Sequence, residues 1–480
     1  MKRIKAFLFT NTTNRQTVVK NTFWLFVGDF GSRLLKMVLF IYAARELGVL
    51  EWGVFAYITA IIGIVITFSD IGINAVLTRE ISKNPKNSHN YISTSFVLKL
   101  ILSTLGVVAI LTLQFFLPET NKINYLLPLA AAMFFLDSMR EFGFALNRAF
   151  QKMELEALVK IITNVALVVI GYFLITRSAT ANSLAWAYII GGIIGIVIMF
   201  VSIRSHLSVI FYRFRKYLLW PIFKEAWPIA VISVFGVLLA SIDTLILGWF
   251  RTIEDVGLYA AAQKPIQLLS LIPVLFSTAL LPIFSNLSIN NNEKMKSTLE
   301  RTVLLVLLVS VPIALCSLFL GRDIIVLLFG TNYIGAVLIF KILVVTVIVS
   351  APGVIISNAL FANNKQKEVL YAITAGALSN ILLSIGLIYF YGIIGAAIAT
   401  TISQIVSNSM LVMYAKKIPH LNFKIKSGNL LAASIIMILI FLLFKKNMPI
   451  YLLTLSAFLA YCITLIVKKE PVITDIKNIF

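Results

Sequence analysis

Residues 184–203 read Leu184-Ala-Trp-Ala-Tyr-Ile-Ile-Gly-Gly-Ile-Ile-Gly-Ile-Val-Ile-Met-Phe-Val-Ser-Ile203, without one charged side chain. As a helix, such a run is about 30 Å long, which matches the hydrocarbon thickness of a bilayer. Comparable runs recur near 21–46, 52–78, 91–117, 125–147, 157–176, 222–250, 256–284, 302–320, 336–362, 369–390, 393–415, 428–444 and 449–467. They lack the two-residue alternation of a membrane-barrel strand. The reading is an all-α integral membrane protein with about fourteen transmembrane helices. Composition agrees. The chain is 60% hydrophobic and 13% charged, against roughly 45–50% and about 25% in soluble domains.

The 480 residues carry 41 Lys plus Arg against 20 Asp plus Glu, a net charge of +21. With the N-terminus inside, the loops alternate in basic content, roughly 28 residues in cytoplasmic segments against 7 outside. This places the chain in the cytoplasmic membrane with both termini inside. No basic segment is long enough to form a nucleic-acid-binding domain. Cys316 and Cys462 lie in apolar runs, so a disulfide framework is out, and His89, His206 and His420 lack metal-ligand spacing. The Lys-rich start leads into a span too long for a cleavable signal. No loop is longer than roughly 20 residues, too short for an extramembrane catalytic domain; the expectation is a protein that is not an enzyme and has no cofactor.

Five segments follow: 1–20, cytoplasmic; 21–204, six helices; 205–221, a linker; 222–418, six more; and 419–480, two helices and a tail. The basic, aromatic linker (Phe211-Tyr-Arg-Phe-Arg-Lys-Tyr217) reads as amphipathic and lying on membrane lipid. The halves resemble each other. Glu51-Trp-Gly-Val-Phe-Ala56 recurs as Asp255-Val-Gly-Leu-Tyr-Ala260, and Asn164-Val-Ala-Leu-Val-Val-Ile-Gly171 as Asn380-Ile-Leu-Leu-Ser-Ile-Gly386. Parallel repeats of this kind are a transporter arrangement, with substrate at the repeat interface.

With basic residues near span ends counted among the loops, Arg45 outside and Lys160 and Lys224 inside the cell, six remain within the spans: Arg33, Lys36, Lys99, Arg140, Lys264 and Lys341. Asp29, Asp70, Asp137, Glu141 and Asp243 accompany them. A charge near mid-bilayer costs about 2.5–3.5 kcal/mol or more, so it should face water or a partner. Asp29, Arg33 and Lys36 share one helix face; Asp137, Arg140, Glu141, Phe144 and Arg148 form a stripe on another. Asp29–Arg33 and Asp137–Arg140 can neutralise one another along their own helices, and Asp70 is placed to compensate Arg33. Lys341, near a helix end, is expected to snorkel. Arg33, Lys36, Arg140, Lys264 and Lys99 are the candidates for binding an anionic headgroup. Asp29, Asp70, Asp137, Glu141 and Asp243 are candidates for charge compensation or for coupling to H+ or Na+. Pro228, Pro265, Pro273, Pro282, Pro312 and Pro352 make the second half the more bent.

Gly48-Val-Leu-Glu-Trp-Gly-Val-Phe55, Phe68-Ser-Asp-Ile-Gly-Ile73 and Thr78-Arg-Glu-Ile-Ser82 resemble the opening of the polysaccharide transporters. Ile242-Asp-Thr-Leu-Ile-Leu-Gly248, Val256-Gly-Leu-Tyr-Ala260 and Tyr391-Gly-Ile-Ile-Gly-Ala-Ala397 continue the likeness over nearly the whole chain. The family is the Wzx-type flippases of the multidrug/oligosaccharidyl-lipid/polysaccharide exporter superfamily. The resemblance implies two six-helix lobes in a V plus two appended helices. It also implies a cationic lumen that passes an undecaprenyl-pyrophosphate-linked oligosaccharide outward by alternating access, for surface polysaccharide assembly. Partners would be this lipid-linked substrate and a polymerase or glycosyltransferase complex, with no nucleic acid. The alternatives are a cation-coupled multidrug antiporter, a peptidoglycan-precursor flippase, and a membrane-embedded glycan polymerase or ligase.

Overall fold

Inside a bilayer the backbone must satisfy its own hydrogen bonds, so each apolar run closes into a helix. The computed structural model describes residues 13–84, 88–116, 121–204, 214–290, 292–418, 421–423, 427–445, 447–468 and 470. The elements are α1 (Asn14–Asp70), α2 (Ile73–Lys83), α3 (Ser88–Thr112), α4 (Asn121–Ala149) and α5 (Met153–Arg177). Next come α6 (Ala181–Ser202), α7 (Leu219–Phe250), α8 (Ile253–Leu269), α9 (Leu271–Asn290) and α10 (Asn292–Phe319). The chain continues through α11 (Gly321–Phe329), α12 (Ala336–Ala362), α13 (Gln366–Lys416), α14 (Gly428–Phe444) and α15 (Ile450–Val467). No strand occurs among the described residues.

Among the described residues, nine helices are long and apolar enough to cross a membrane. Two of these, α1 and α13, hold two spans each, broken at Gly48 (φ 74°) and Gly392 (φ 59°). Glycine takes a positive φ with little penalty. Adding the charged α4, the α8–α9 pair and the short α14 yields the fourteen expected spans in their expected order.

Three local features differ from the sequence reading: first, the expected span 52–78 stops at Asp70 and resumes as α2 after Gly72 (φ 75°). The expected span 256–284 is two helices that part at Ser270, and Pro273 explains the break, since its ring clashes with the carbonyl four residues earlier. The short helices α2 and α11 are amphipathic and too brief to register as spans; α2 buries Ile73, Val76, Leu77 and Ile81 along one face. Most of the predicted lipid-contacting linker, residues 205–213, lies outside the described residues, as do the start, 1–12, the tail, 471–480, His206 and His420.

The chain divides into two compact units, Met1–Ala260 and Ala261–Phe480. The first is packed around Leu77, Phe142, Phe144, Leu146, Val159 and Met199. The second has one core at Phe284, Leu299, Val303, Ile355 and Ala372. A further core seats α14 and α15 on α10 through Met437, Phe441 and Tyr461, whose hydroxyl donates to the Leu308 carbonyl at 3.0 Å. Cys316 and Cys462 border that core as free thiols.

The first pair of repeated motifs meets itself in space. A Cβ built on Gly53 would lie 2.1 Å from the Ile253 carbonyl oxygen and 2.9 Å from the Gly257 nitrogen. One built on Gly257 would lie 2.1 Å from the Val49 carbonyl oxygen and 3.2 Å from the Gly53 Cα. The two contacts are reciprocal, as a two-fold relation between the copies requires. Small residues let membrane helices approach this closely, where lipid supplies no hydrophobic drive. Gly53→Val or Gly257→Val should destabilise the protein by about 1–3 kcal/mol, the usual range for overpacking. Thermal unfolding in detergent would read this as a fall of several degrees, against Gly63→Val, where a Cβ meets nothing within 4 Å.

Candidate functional site

Many of the membrane charges of the first unit gather where α1, α4 and α5 pack together. Gly28 of α1 sits against Ala157 of α5, and a Cβ there would be 2.8 Å from the Ala157 Cα. This close approach brings Asp29, the next residue, opposite Lys160. The Lys160 ammonium donates to Asp29 Oδ1 at 2.6 Å and to Glu156 Oε1 at 2.7 Å. It also stands 4.9 Å from the centroid of the buried Phe144 ring, a cation–π arrangement. Glu156, fully buried, takes a second cation: Arg148 Nε donates to Oε2 at 2.8 Å and Nη2 to Oε1 at 2.5 Å. Such a two-pronged pair is the strongest geometry available to Arg and a carboxylate.

One helical turn away along α4, Arg140 donates to Asp137 of its own helix. Lys36 lies 6.0 Å from the centroid of Tyr188 on α6 and is acted on by the charges of Asp137, Arg140, Glu141 and Arg33. Glu141 in turn feels Lys160, Arg148, Arg140 and Asp137. Arg33, Lys36, Arg140, Lys160 and Arg148 thus share one electrostatic array with Asp29, Asp137, Glu141 and Glu156. Cations exceed carboxylates by one. Arg33 is exposed, and Arg140 keeps 13% of its side chain accessible.

The expected Asp137–Arg140 pair is present, whereas Asp29 pairs with Lys160 rather than Arg33. The reason is the α1–α5 crossing, which brings a second helix's lysine to 2.6 Å from the carboxylate. Asp70 likewise pairs with Lys99, at 3.5 Å, and not with Arg33. Lys99 is fully buried and donates to the Ser69 carbonyl at 3.4 Å and the Ser69 hydroxyl at 3.5 Å. Its ammonium sits at the C-terminal end of α1, where the helix leaves carbonyls unpaired and favours positive charge. Ser138 links the same cluster, 3.1 Å from the Ser69 hydroxyl and 2.7 Å from that of Ser103.

Asp243 of α7 is buried and accepts from the Tyr259 hydroxyl of α8 and from the Thr244 amide at 3.0 Å. It therefore ties two helices. Lys264 and Lys341 are half-buried, on α8 and α12. Sequence reasoning placed Arg148 on the α4 stripe but missed Lys160 and Glu156 as members of the site, because it counted Lys160, like Arg148, with a cytoplasmic segment. The signal available was their spacing: Glu156 and Lys160 stand four apart near the start of α5, the helix that follows α4. No group of metal-ligating residues occurs among the described residues. A cavity of about 370 Å³ in the first unit is lined by Leu50, Tyr57, Ile123, Trp249 and Arg251. One of about 700 Å³ in the second is lined by Pro352, Asn408, Lys416 and Phe423. The array borders neither.

Lys99→Met would strand Asp70, which is one-third exposed, and remove the cap from α1. A fall of roughly 1–3 kcal/mol is expected, below the 3–5 kcal/mol of a fully buried pair. Unfolding in detergent would check it, and adding Asp70→Asn should restore part of the loss.

A polysaccharide biosynthesis protein family profile matches residues 18–288, and a MatE profile matches residues 228–386. A probable low-salt glycan biosynthesis flippase of Haloferax volcanii is 24% identical over 415 residues, 85% of either chain. A putative O-antigen transporter of Shigella flexneri is 23% identical and covers 82% of this chain and 97% of its own. Among solved structures, the lipid II flippase MurJ in an inward closed conformation superposes with a TM-score of 0.78. That likeness, at 20% identity, spans 93% of this chain and 99% of the other.

Proposed function

The chain belongs to the polysaccharide biosynthesis protein family, and we propose that it is a Wzx-type flippase carrying an undecaprenyl-pyrophosphate-linked oligosaccharide across the cytoplasmic membrane. The relatives named as glycan flippase and O-antigen transporter support this reading. So does physical chemistry. A glycan cannot cross hydrocarbon without forfeiting its hydrogen bonds, whereas the lipid tail can remain in the bilayer throughout. The headgroup therefore needs a polar route, and its phosphates need cations along it.

The observation that carries the proposal is the cation surplus of the array on α1, α4 and α5. Among the described residues, Arg33 and Lys36 have no carboxylate within ion-pair distance. They stand one helical turn apart and are free to take an anion, with Arg33 offering a planar bidentate fork to phosphate. Arg140 is already held by Asp137, so an incoming phosphate must compete there. Lys99, sealed at the end of α1, acts on the headgroup only through structure.

Alternating exposure of the array to the two sides would move the headgroup, and binding must weaken on the outer side for release. Uptake of H+ or Na+ at Asp29 or Asp137 would supply the difference, since one charge across 100 mV is worth about 2.3 kcal/mol. The termini would lie in the cytoplasm, and a glycan polymerase with glycosyltransferases would be the natural partners. A cation-drug antiporter, to which the MatE match points, calls for a surplus of carboxylate that the array lacks.

In cells lacking the native gene, the wild-type chain should restore surface glycan. Arg33→Ala or Lys36→Ala should lower export about tenfold at equal protein level, the loss of one charge-assisted hydrogen bond. Arg33→Lys should retain an intermediate level. Undiminished export in both alanine variants would reject the cationic route.

A further inference from the structure

Lys160 has three neighbours of unequal freedom. Glu156 is completely buried and gripped by both prongs of Arg148, so leaving would strand its charge. Phe144 is 1% exposed and fixed in the core. Asp29 alone is half exposed, with 52% of its side chain accessible. An ion pair with one accessible partner is more easily exchanged than one buried on both sides.

The ammonium has three donors and no acceptor. When Asp29 turns outward, one donor comes free. Arg148 and Lys160 then keep Glu156 as their one paired carboxylate, and the charge balance where α1, α4 and α5 meet shifts by one toward positive. Lys160 lies seven residues into α5, about 10 Å from its start at 1.5 Å per residue. Arg33 follows Asp29 by one turn on α1, and Lys36 by nearly two, so a phosphate received at Lys160 has a further cation at each step.

We propose that Lys160 is an anion-receiving residue, held in reserve by Asp29, which an incoming lipid-linked phosphate displaces. This rests on the flippase reading and deepens it: Asp29 is an exchangeable counter-ion that holds the receiving lysine oriented and unavailable to weaker anions. The substrate chemistry it selects is a phosphate or pyrophosphate ester carrying at least one full negative charge.

The test is binding by calorimetry to the purified full-length protein in detergent. Farnesyl pyrophosphate is the probe, with inorganic pyrophosphate and farnesol as separate arms. Asp29→Asn should tighten farnesyl pyrophosphate binding three- to tenfold, a gain that loss of a merely structural pair would not produce. Lys160→Met should weaken it at least tenfold, Lys160→Arg should stay within threefold of wild type, and Asp29→Asn/Lys160→Met should behave as Lys160→Met. Size-exclusion profiles establish that each variant is folded. Unchanged or weaker binding by folded Asp29→Asn overturns the proposal, as does unchanged binding by folded Lys160→Met. The same pattern with inorganic pyrophosphate in place of the prenyl ester would overturn a lipid source and assign a free-phosphate site. If wild-type export and its dependence on Arg33 and Lys36 stand while Asp29 and Lys160 leave binding unchanged, only this inference falls. If the wild type restores no glycan, the flippase reading itself falls.

Discussion

A lysine ammonium among membrane helices is steadied where carboxylates meet it, and at Lys160 they come from two helices. Asp29 of α1 and Glu156 of α5 close on Lys160, while Arg148 of α4 closes on Glu156 from the other side. Each contact fixes a helix against its neighbour. The array thus holds α1, α4 and α5 in register as well as presenting charge. Without the approach of Gly28 to Ala157, the pairing would not form. Charge and packing are one constraint here.

Polar contacts of this sort carry more of the folding task in a membrane than in water, because lipid removes the hydrophobic contrast between helix faces. The serine cluster around Lys99 follows the same rule. So does the Tyr259–Asp243 link, which binds α7 to α8 through two fully buried side chains. The second unit relies instead on apolar layers, with α14 and α15 laid against α10 by Met437, Phe441 and Tyr461. Its prolines act locally, most visibly at Pro273, where one expected span is two helices.

Hydropathy alone made the fourteen spans legible, since an uninterrupted run of about 20 apolar residues has few other uses. The helices α2 and α11 escaped that test because their signal is a stripe, not a run. The stripes on α1 and α4 were legible from three- and four-residue spacing. Their partners were not. Lys160 stands 131 residues from Asp29, and no local periodicity predicts which distant helix will lie alongside. Counting basic residues by loop also misplaced Lys160, which lies inside the start of its own apolar run on α5. Asp70 met the same fate, matched in sequence to Arg33 and in space to Lys99.

The meeting of Gly53 with Gly257 has a consequence for descent. Crowding between two side chains is commonly relieved by shrinking one when the other grows. Neither position here can do so, because each already holds the smallest residue, and the obstacle beyond it is main-chain carbonyl. Relatives that keep this crossing should therefore carry glycine at both codons, and a lineage that loses one has no second-site remedy within the pair.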